Sequence, residues 1–287
     1  MNGAAPGRGG PPERMRLARA LAQMGFESRR GSEQAVLLGR VSVNGIVVDD
    51  VATNVVAGRD AIAVDGRQLA WVVKQEHYAV NKPPGVVSTV KDAHAERTVV
   101  ELVQSSARLF PVGRLDKESE GLVLLTNDGD LANRVTHPRY EVEKEYAVLV
   151  RPTPTNAMIE RLRQGLDLDG RTAVPTSVLL RIHNGDSWVR IVITEGRQHE
   201  VRRLVGAVGL EVRRLIRTRI GPVHLGTLKS GESRKLESRE LRVLREGPRT
   251  ARAAARSRST GAAGRRSGGL GQASREERAA PRRGRAR

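Results

Sequence analysis

Apolar residues first recur at helical spacing near the start of the chain. From Glu13 onward Leu17, Ala20, Leu21 and Met24 share one face, and Gly25 stops the run. A second short helix is predicted over residues 32–38, ended by Gly39. The pattern then shifts to short apolar runs, Val41-Ser42-Val43 and Ile46-Val47-Val48, around Asn44-Gly45. Asn-Gly between two such runs predicts a tight hairpin, because both turn residues must take positive φ. A further strand, 61–64, ends at Asp65-Gly66, and 74–76 reads as a linker. Beyond it, strands are expected at 78–81, 122–125, 142–150, 178–182, 188–193 and 212–216. Helices are expected at 98–104, 131–135, 156–164 and 198–208, with Thr98 and Glu101 at capping-box spacing. Helices and strands do not alternate regularly, so the fold class is α+β with a mostly antiparallel sheet.

The ends of the chain break this pattern. Residues 1–12 are Gly, Pro and Arg without an apolar run, which fits neither a core nor a signal peptide. From 247 to 287 Arg, Ala, Gly and Ser dominate, and an unfolded basic tail is expected there. The organisation read from the sequence is thus 1–12 unfolded, 13–73 a small helix-and-hairpin module, 77–246 the main domain and 247–287 the tail.

Charge adds a partner. The chain of 287 residues carries a net charge of +18, and its 38% hydrophobic content is low for one fully folded globule. Twelve arginines and two glutamates lie between 248 and 287, so +8 remains on the rest. A basic folded region points to a polyanion independently of the tail. In the small module Arg16, Arg19, Arg29, Arg30 and Arg40 fall within 25 positions, a basic face suited to RNA backbone or to solvent alone. No cysteine is present, which excludes thiolate metal sites and cysteine nucleophiles and fits a cytoplasmic protein. The six histidines are scattered, and no phosphate-binding loop or dinucleotide fingerprint occurs. No apolar run approaches the roughly 20 residues of a membrane span. Neither a metal nor a cofactor is therefore expected, nor a membrane partner.

The densest stretch for chemistry is Gly113-Arg114-Leu115-Asp116-Lys117-Glu118-Ser119-Glu120-Gly121, a charged loop feeding an apolar strand. Loops at strand ends carry catalytic groups, and composition alone equally allows Asp116 to be a turn or cap residue. Arg202 borders the apolar stripe Val201, Leu204, Val205 and Val208 of its helix, placed either to face a buried carboxylate or to meet a phosphate. Tyr146 shares a strand face with Val142, Val148 and Val150, and could be core filler or a stacking ring.

These segments together resemble the pseudouridine synthases of ribosomal RNA, in the branch that modifies single sites. Gly113-Arg114-Leu115-Asp116 with Glu120-Gly121-Leu122 is similar to the family's catalytic motif. Asn81-Lys82-Pro83-Pro84-Gly85 resembles its opening motif and Glu143-Lys144-Glu145-Tyr146 its tyrosine segment. The run from Glu195-Gly196-Arg197-Gln198-His199-Glu200 through Val201-Arg202-Arg203-Leu204 resembles its arginine motif. Arg217-Thr218-Arg219-Ile220-Gly221-Pro222-Val223-His224-Leu225 resembles its closing motif. The N-terminal module is similar to the RNA-binding domain of ribosomal protein S-four. Glu200, where glutamine is commoner, and Gly31-Ser32, where charged helix residues are usual, depart from the pattern.

The resemblance implies an enzyme that moves uracil from an N-glycosidic to a C-glycosidic bond. Nothing is gained or lost, so no redox cofactor or metal is required. It implies Asp116 as nucleophile or base, Arg202 favouring its ionised form, and Tyr146 stacking on an extruded uracil. Leu225 or Ile220 would wall the other side of the base. Lys82 would support the pocket or a phosphate, or simply serve a turn, and Arg114 would contact substrate. The expected partner is ribosomal RNA, with 23S RNA of the large subunit favoured, and the expected state is a monomer. The rivals are a 16S enzyme, a non-catalytic ribosome assembly factor of the same ancestry, and a general nucleic-acid-compacting protein.

Overall fold

The computed structural model describes residues 14–71, 74–90 and 97–247. The expectations for 1–12 and for the tail beyond Gly247 lie outside the described residues. The N-terminal part runs β1 (Arg14–Arg16), α1 (Leu17–Gln23), α2 (Arg29–Leu37), β2 (Val41–Val43), β3 (Ile46–Val48), β4 (Asn54–Val56), β5 (Ile62–Val64) and β6 (Arg67–Gln68). The main part continues with β7 (His77–Lys82), a single 3-10 turn at Val99–Leu102, β8 (Phe110–Val112), β9 (Glu120–Thr126) and α3 (Gly129–Thr136). After a second 3-10 turn at Pro138–Tyr140 come β10 (Lys144–Arg151), α4 (Asn156–Gln164), β11 (Leu166–Asp167), β12 (Thr172–Ala173), β13 (Ser177–His183) and β14 (Asp186–Ile193). The order ends with α5 (Glu200–Ala207), β15 (Glu211–Ile220), β16 (Val223–His224), β17 (Ser233–Lys235) and α6 (Ser238–Glu246).

Leu17, Ala20, Leu21 and Met24 are buried as their spacing predicts. The expected first turn of that helix is β1 instead. Arg16 is extended and the Leu17 amide donates to Thr53 O at 2.9 Å, so β1 pairs antiparallel with β4. Helix α2 starts three residues before the predicted Ser32 because the Ser28 hydroxyl accepts from the Gly31 amide. The Asn44-Gly45 hairpin forms as expected, with φ of 52° and 83° at its turn. These elements share a core of their own around Leu17, Leu21, Val36, Val41, Val55 and Ile62.

The large sheet has the strand order β13-β14-β10-β15-β9-β7-β17, with β16 on β15 and β8 on β9. Among the described strands only β15 with β9 is parallel, so the α+β, mostly antiparallel reading is right. Both faces of this sheet are buried in separate clusters. Helix α5 covers one face through Val201, Leu204 and Val205, whereas α3 and α6 cover the other through Leu131, Val135 and Leu244. The helix expected at 98–104 shrinks to a 3-10 turn, although its capping box forms. That expected at 198–208 begins at Glu200, because His199 adopts a left-handed conformation.

One topological detail positions the site. Strands β15 and β8 lie on the same edge of β9, β15 at Glu120 and Gly121 and β8 from Leu124 to Thr126. The loop 113–119 leaves β8 and returns into β9 at the point where these two strands part. Gly121 makes the crossing possible. Its φ is +103°, and a Cβ there would lie 2.4 Å from Arg217 O.

Candidate active site

The loop that carries Asp116 is held from several sides. Lys82, at the end of β7, is fully buried, and its ammonium donates to Pro83 O (2.9 Å), Val86 O (2.7 Å) and Lys117 O (3.0 Å). Burial lowers its pKa from 10.5 to about 8, against the pull of Glu118 and Asp116. The Gly85 amide donates to the same Lys117 carbonyl. Ser88 brackets Leu115, its hydroxyl donating to Leu115 O at 2.8 Å and accepting from Leu115 N at 3.1 Å. Arg217, buried on β15, donates from Nε to Leu122 O at 2.7 Å and from Nη1 to Arg114 O at 3.4 Å. The Ser119 amide closes the loop onto Asp116 O at 3.0 Å.

The loop forms one wall of a cleft of about 550 Å³. Tyr146, Arg202, Arg114 and Ile220 line it with Asp116, as expected, and His199, Lys144, Glu200 and Arg217 line it too. The Asp116 carboxylate is partly exposed. Its Oδ1 stands 3.2 Å from His199 Nε2 and its Oδ2 stands 3.9 Å from Arg202 Nε. Arg202 donates from Nη2 to the hydroxyl of fully buried Ser119 at 3.2 Å. The guanidinium therefore stands by Asp116 as a near charge and not as a hydrogen-bond donor. Tyr146 on β10 lies directly opposite Arg217 on β15, so both project to the same face. Behind them Lys144 donates to Thr194 O at 3.0 Å, and burial together with Arg217 lowers its pKa to about 8. Burial pushes Glu200 upward.

Lys82 does not line the cleft; its ammonium goes to the carbonyls of Pro83, Val86 and Lys117 and so supports the loop. Ile220 lines the cleft, whereas Leu225 does not and packs against the cluster that contains Val112, Ile220 and Val223. The arginines of the N-terminal part divide. Arg19 pairs with Asp130 of α3 (2.7 Å), Arg40 with Asp65 (2.5 Å), and Arg16 donates to Ala52 O. Arg29 and Arg30 are exposed, and among the described residues they form no ion pair. Sequence reading missed His199, Ser119 and Ser88. The first two sit inside motifs already singled out, whereas nothing in the sequence marks Ser88.

A cleft with a partly exposed carboxylate beside an arginine, on a basic α+β frame with a separately cored basic module, suits chemistry on a polyanion. Comparison with known proteins gives its family. A model described as RNA pseudouridylate synthase matches residues 76–207, and an S4 domain model matches 15–60. An uncharacterized RNA pseudouridine synthase of Aquifex aeolicus is 38% identical over 233 residues, covering 80% of this chain and 93% of its own. The ribosomal large subunit pseudouridine synthase B of Bacillus subtilis is 36% identical over 236 residues, covering 80% and 95%. A crystal structure of a pseudouridylate synthase superposes with a TM-score of 0.57 at 30% identity, covering 80% of this chain and 99% of the other. The chain belongs to the RNA pseudouridine synthase family, and it is an isomerase acting on RNA. No helix among the described residues is long and apolar enough to cross a membrane.

Proposed function

We propose that this protein converts one uridine of 23S ribosomal RNA to pseudouridine, with Asp116 as the reacting carboxylate on an extruded nucleotide. The observation that carries this is the placing of Asp116 in one cleft with Arg202 and Tyr146. A carboxylate that attacks the ribose, or takes a proton from it, acts as an anion, and Arg202 stands 3.9 Å from Oδ2 as the nearby positive charge. Extruding a base from its stack costs a few kcal/mol, and an aromatic face at the destination offsets part of it. Tyr146 supplies that face and Ile220 the opposite wall. The target RNA is the 23S molecule by likeness to the Bacillus subtilis relative, whose name specifies the large subunit. Residues 13–73 serve as the RNA-binding module, with Arg29, Arg30 and Arg114 free to meet phosphates, and residues 77–246 as the catalytic domain. The enzyme works as a cytoplasmic monomer.

Two measurements test this. Release of tritium from RNA labelled at carbon 5 of uridine should be abolished by Asp116→Asn, while RNA affinity stays within a few-fold. Mapping pseudouridines in ribosomal RNA from cells with and without the gene should show one site lost from 23S RNA. A full complement of modified sites in the deleted strain, or substantial turnover by Asp116→Asn, overturns the reading.

A further inference from the structure

The backbone around Asp116 is pinned on every side. Arg114 O, Leu115 N and O, Asp116 O and Lys117 O all have hydrogen-bond partners. What these bonds leave free is the turn of the carboxylate about its last side-chain torsion. For aspartate that torsion is broad and roughly two-fold, so packing alone fixes it poorly. Among the described residues two side chains come close enough to set it. Arg202 Nε, at 3.9 Å from Oδ2, is outside hydrogen-bonding reach and is itself tied to Ser119. His199 Nε2 is the nearer of the two, 3.2 Å from Oδ1, within donor–acceptor distance though not aligned as a hydrogen bond in this structure.

Building on the reading of Asp116 as the reacting group, we infer that His199 is the residue that aims it: by donating from Nε2 to Oδ1 it leaves Oδ2 as the oxygen that meets the ribose. A carboxylate oxygen that accepts a hydrogen bond has its lone pairs partly engaged. One that only faces a nearby positive charge keeps them available. The two partners thus divide the work, with His199 setting direction and Arg202 supplying the field.

The backbone of His199 is shaped for this task. Its φ is 53°, a left-handed conformation that is uncommon outside glycine and that asparagine, aspartate and histidine tolerate best. The kink at the start of α5 turns the ring back over the loop and away from the helix, and no hydrogen bond from the side chain caps the helix. The ring is half exposed, so contact with Asp116 is the interaction that holds it at the cleft.

The left-handed backbone also supplies a clean test. His199→Asn and His199→Gly both tolerate the conformation, and neither reaches Oδ1. His199→Gln carries an amide N–H at about the right reach. Single-turnover rates on a fixed 23S fragment should fall about tenfold in the Asn and Gly variants. RNA affinity and melting temperature should stay at wild-type levels, and Gln should recover most of the rate. Full rate in the Asn and Gly variants, or no recovery in Gln, overturns the aiming role. Asp116→Asn is run in parallel. If it is dead while the His199 variants are fully active, the inference falls and the proposed function stands, whereas turnover by Asp116→Asn removes the function itself.

Discussion

Replacing Lys82 with methionine keeps an unbranched side chain and removes the ammonium that the Pro83 and Val86 carbonyls depend on, whereas Lys117 O keeps the Gly85 amide. Each buried carbonyl left without a donor costs about 1–3 kcal/mol. Against this, wild type holds a charge in a place that resists it. A pKa lowered from 10.5 to about 8 corresponds to about 3 kcal/mol of unfavourable burial at neutral pH. With two carbonyls orphaned, the net loss for Lys82→Met at pH 7 is therefore no more than about 3 kcal/mol. The pH dependence is the sharper readout. Between about pH 8 and 10.5 the native state has shed the Lys82 proton and the unfolded chain still holds it, so wild-type stability rises with pH in that window. Lys144, also lowered to about 8, adds a rise of the same sign in both proteins. Lys82→Met lacks only its own share. The stability gap between wild type and variant should accordingly widen from pH 7 to pH 10, by up to about 3 kcal/mol. Urea unfolding at pH 7, 8.5 and 10 measures it, and tritium release at pH 7 should show a large drop in turnover as the Asp116 loop loses its anchor. A gap that stays constant or narrows with pH would refute the argument.

Two other outcomes are expected. Tyr146→Phe should fold and bind RNA with a slower turnover if the hydroxyl assists a late proton transfer, whereas Tyr146→Ala should lose most catalysis; a fully active Ala variant in the tritium assay would make the ring a core filler. Removing Pro248–Arg287 takes away a net charge of +10, so the slope of log affinity against log salt should become shallower by roughly 2–5 units, with about half the charges engaged at 0.7 each, and the modified uridine should not change; a pseudouridine map in which the site moves would give the tail a part in recognition.

The elements that sequence pattern located best are those whose signal is local. Helix α4 has its predicted bounds because Thr155 caps it and its apolar positions repeat cleanly. The Asn44-Gly45 hairpin is set by two residues that accept positive φ. Short strands such as β8, β16 and β17 were not legible. Three residues or fewer carry no period, and what makes them strands is a partner far away in the chain, as Ser233 with Val80. Helix α6 was missed for another reason: it is polar almost throughout, and its capping box uses Glu237 where serine or threonine is expected. For the site, four of the five motifs supply residues that line the cleft, which brings Asp116, Tyr146 and Arg202 together. Direction within a motif was not legible. Whether Lys82 points to solvent or under a loop depends on which carbonyls converge on it, and these come from residues 83, 86 and 117.

That example bears on how a basic protein should be read. A count of +18 treats all cations alike, and the fold separates them into two kinds. Lys82, Lys144 and Arg217 are buried around the cleft and donate to backbone carbonyls of the active-site walls. Such groups can present several donors at one point, which no neutral side chain of similar size does. Lys82 and Arg217 tie down the Asp116 loop through Lys117 O and Arg114 O. Lys82, with its three donors taken and outside the cleft lining, adds positive potential without being available to a phosphate. Arg29, Arg30 and Arg114 are exposed instead, and we propose them as the cations that meet RNA. Changing a cation of the first kind should therefore alter stability and turnover while leaving the salt dependence of RNA binding nearly as it was. Changing one of the second kind should do the reverse, because releasing counterions requires a cation that meets the phosphate directly.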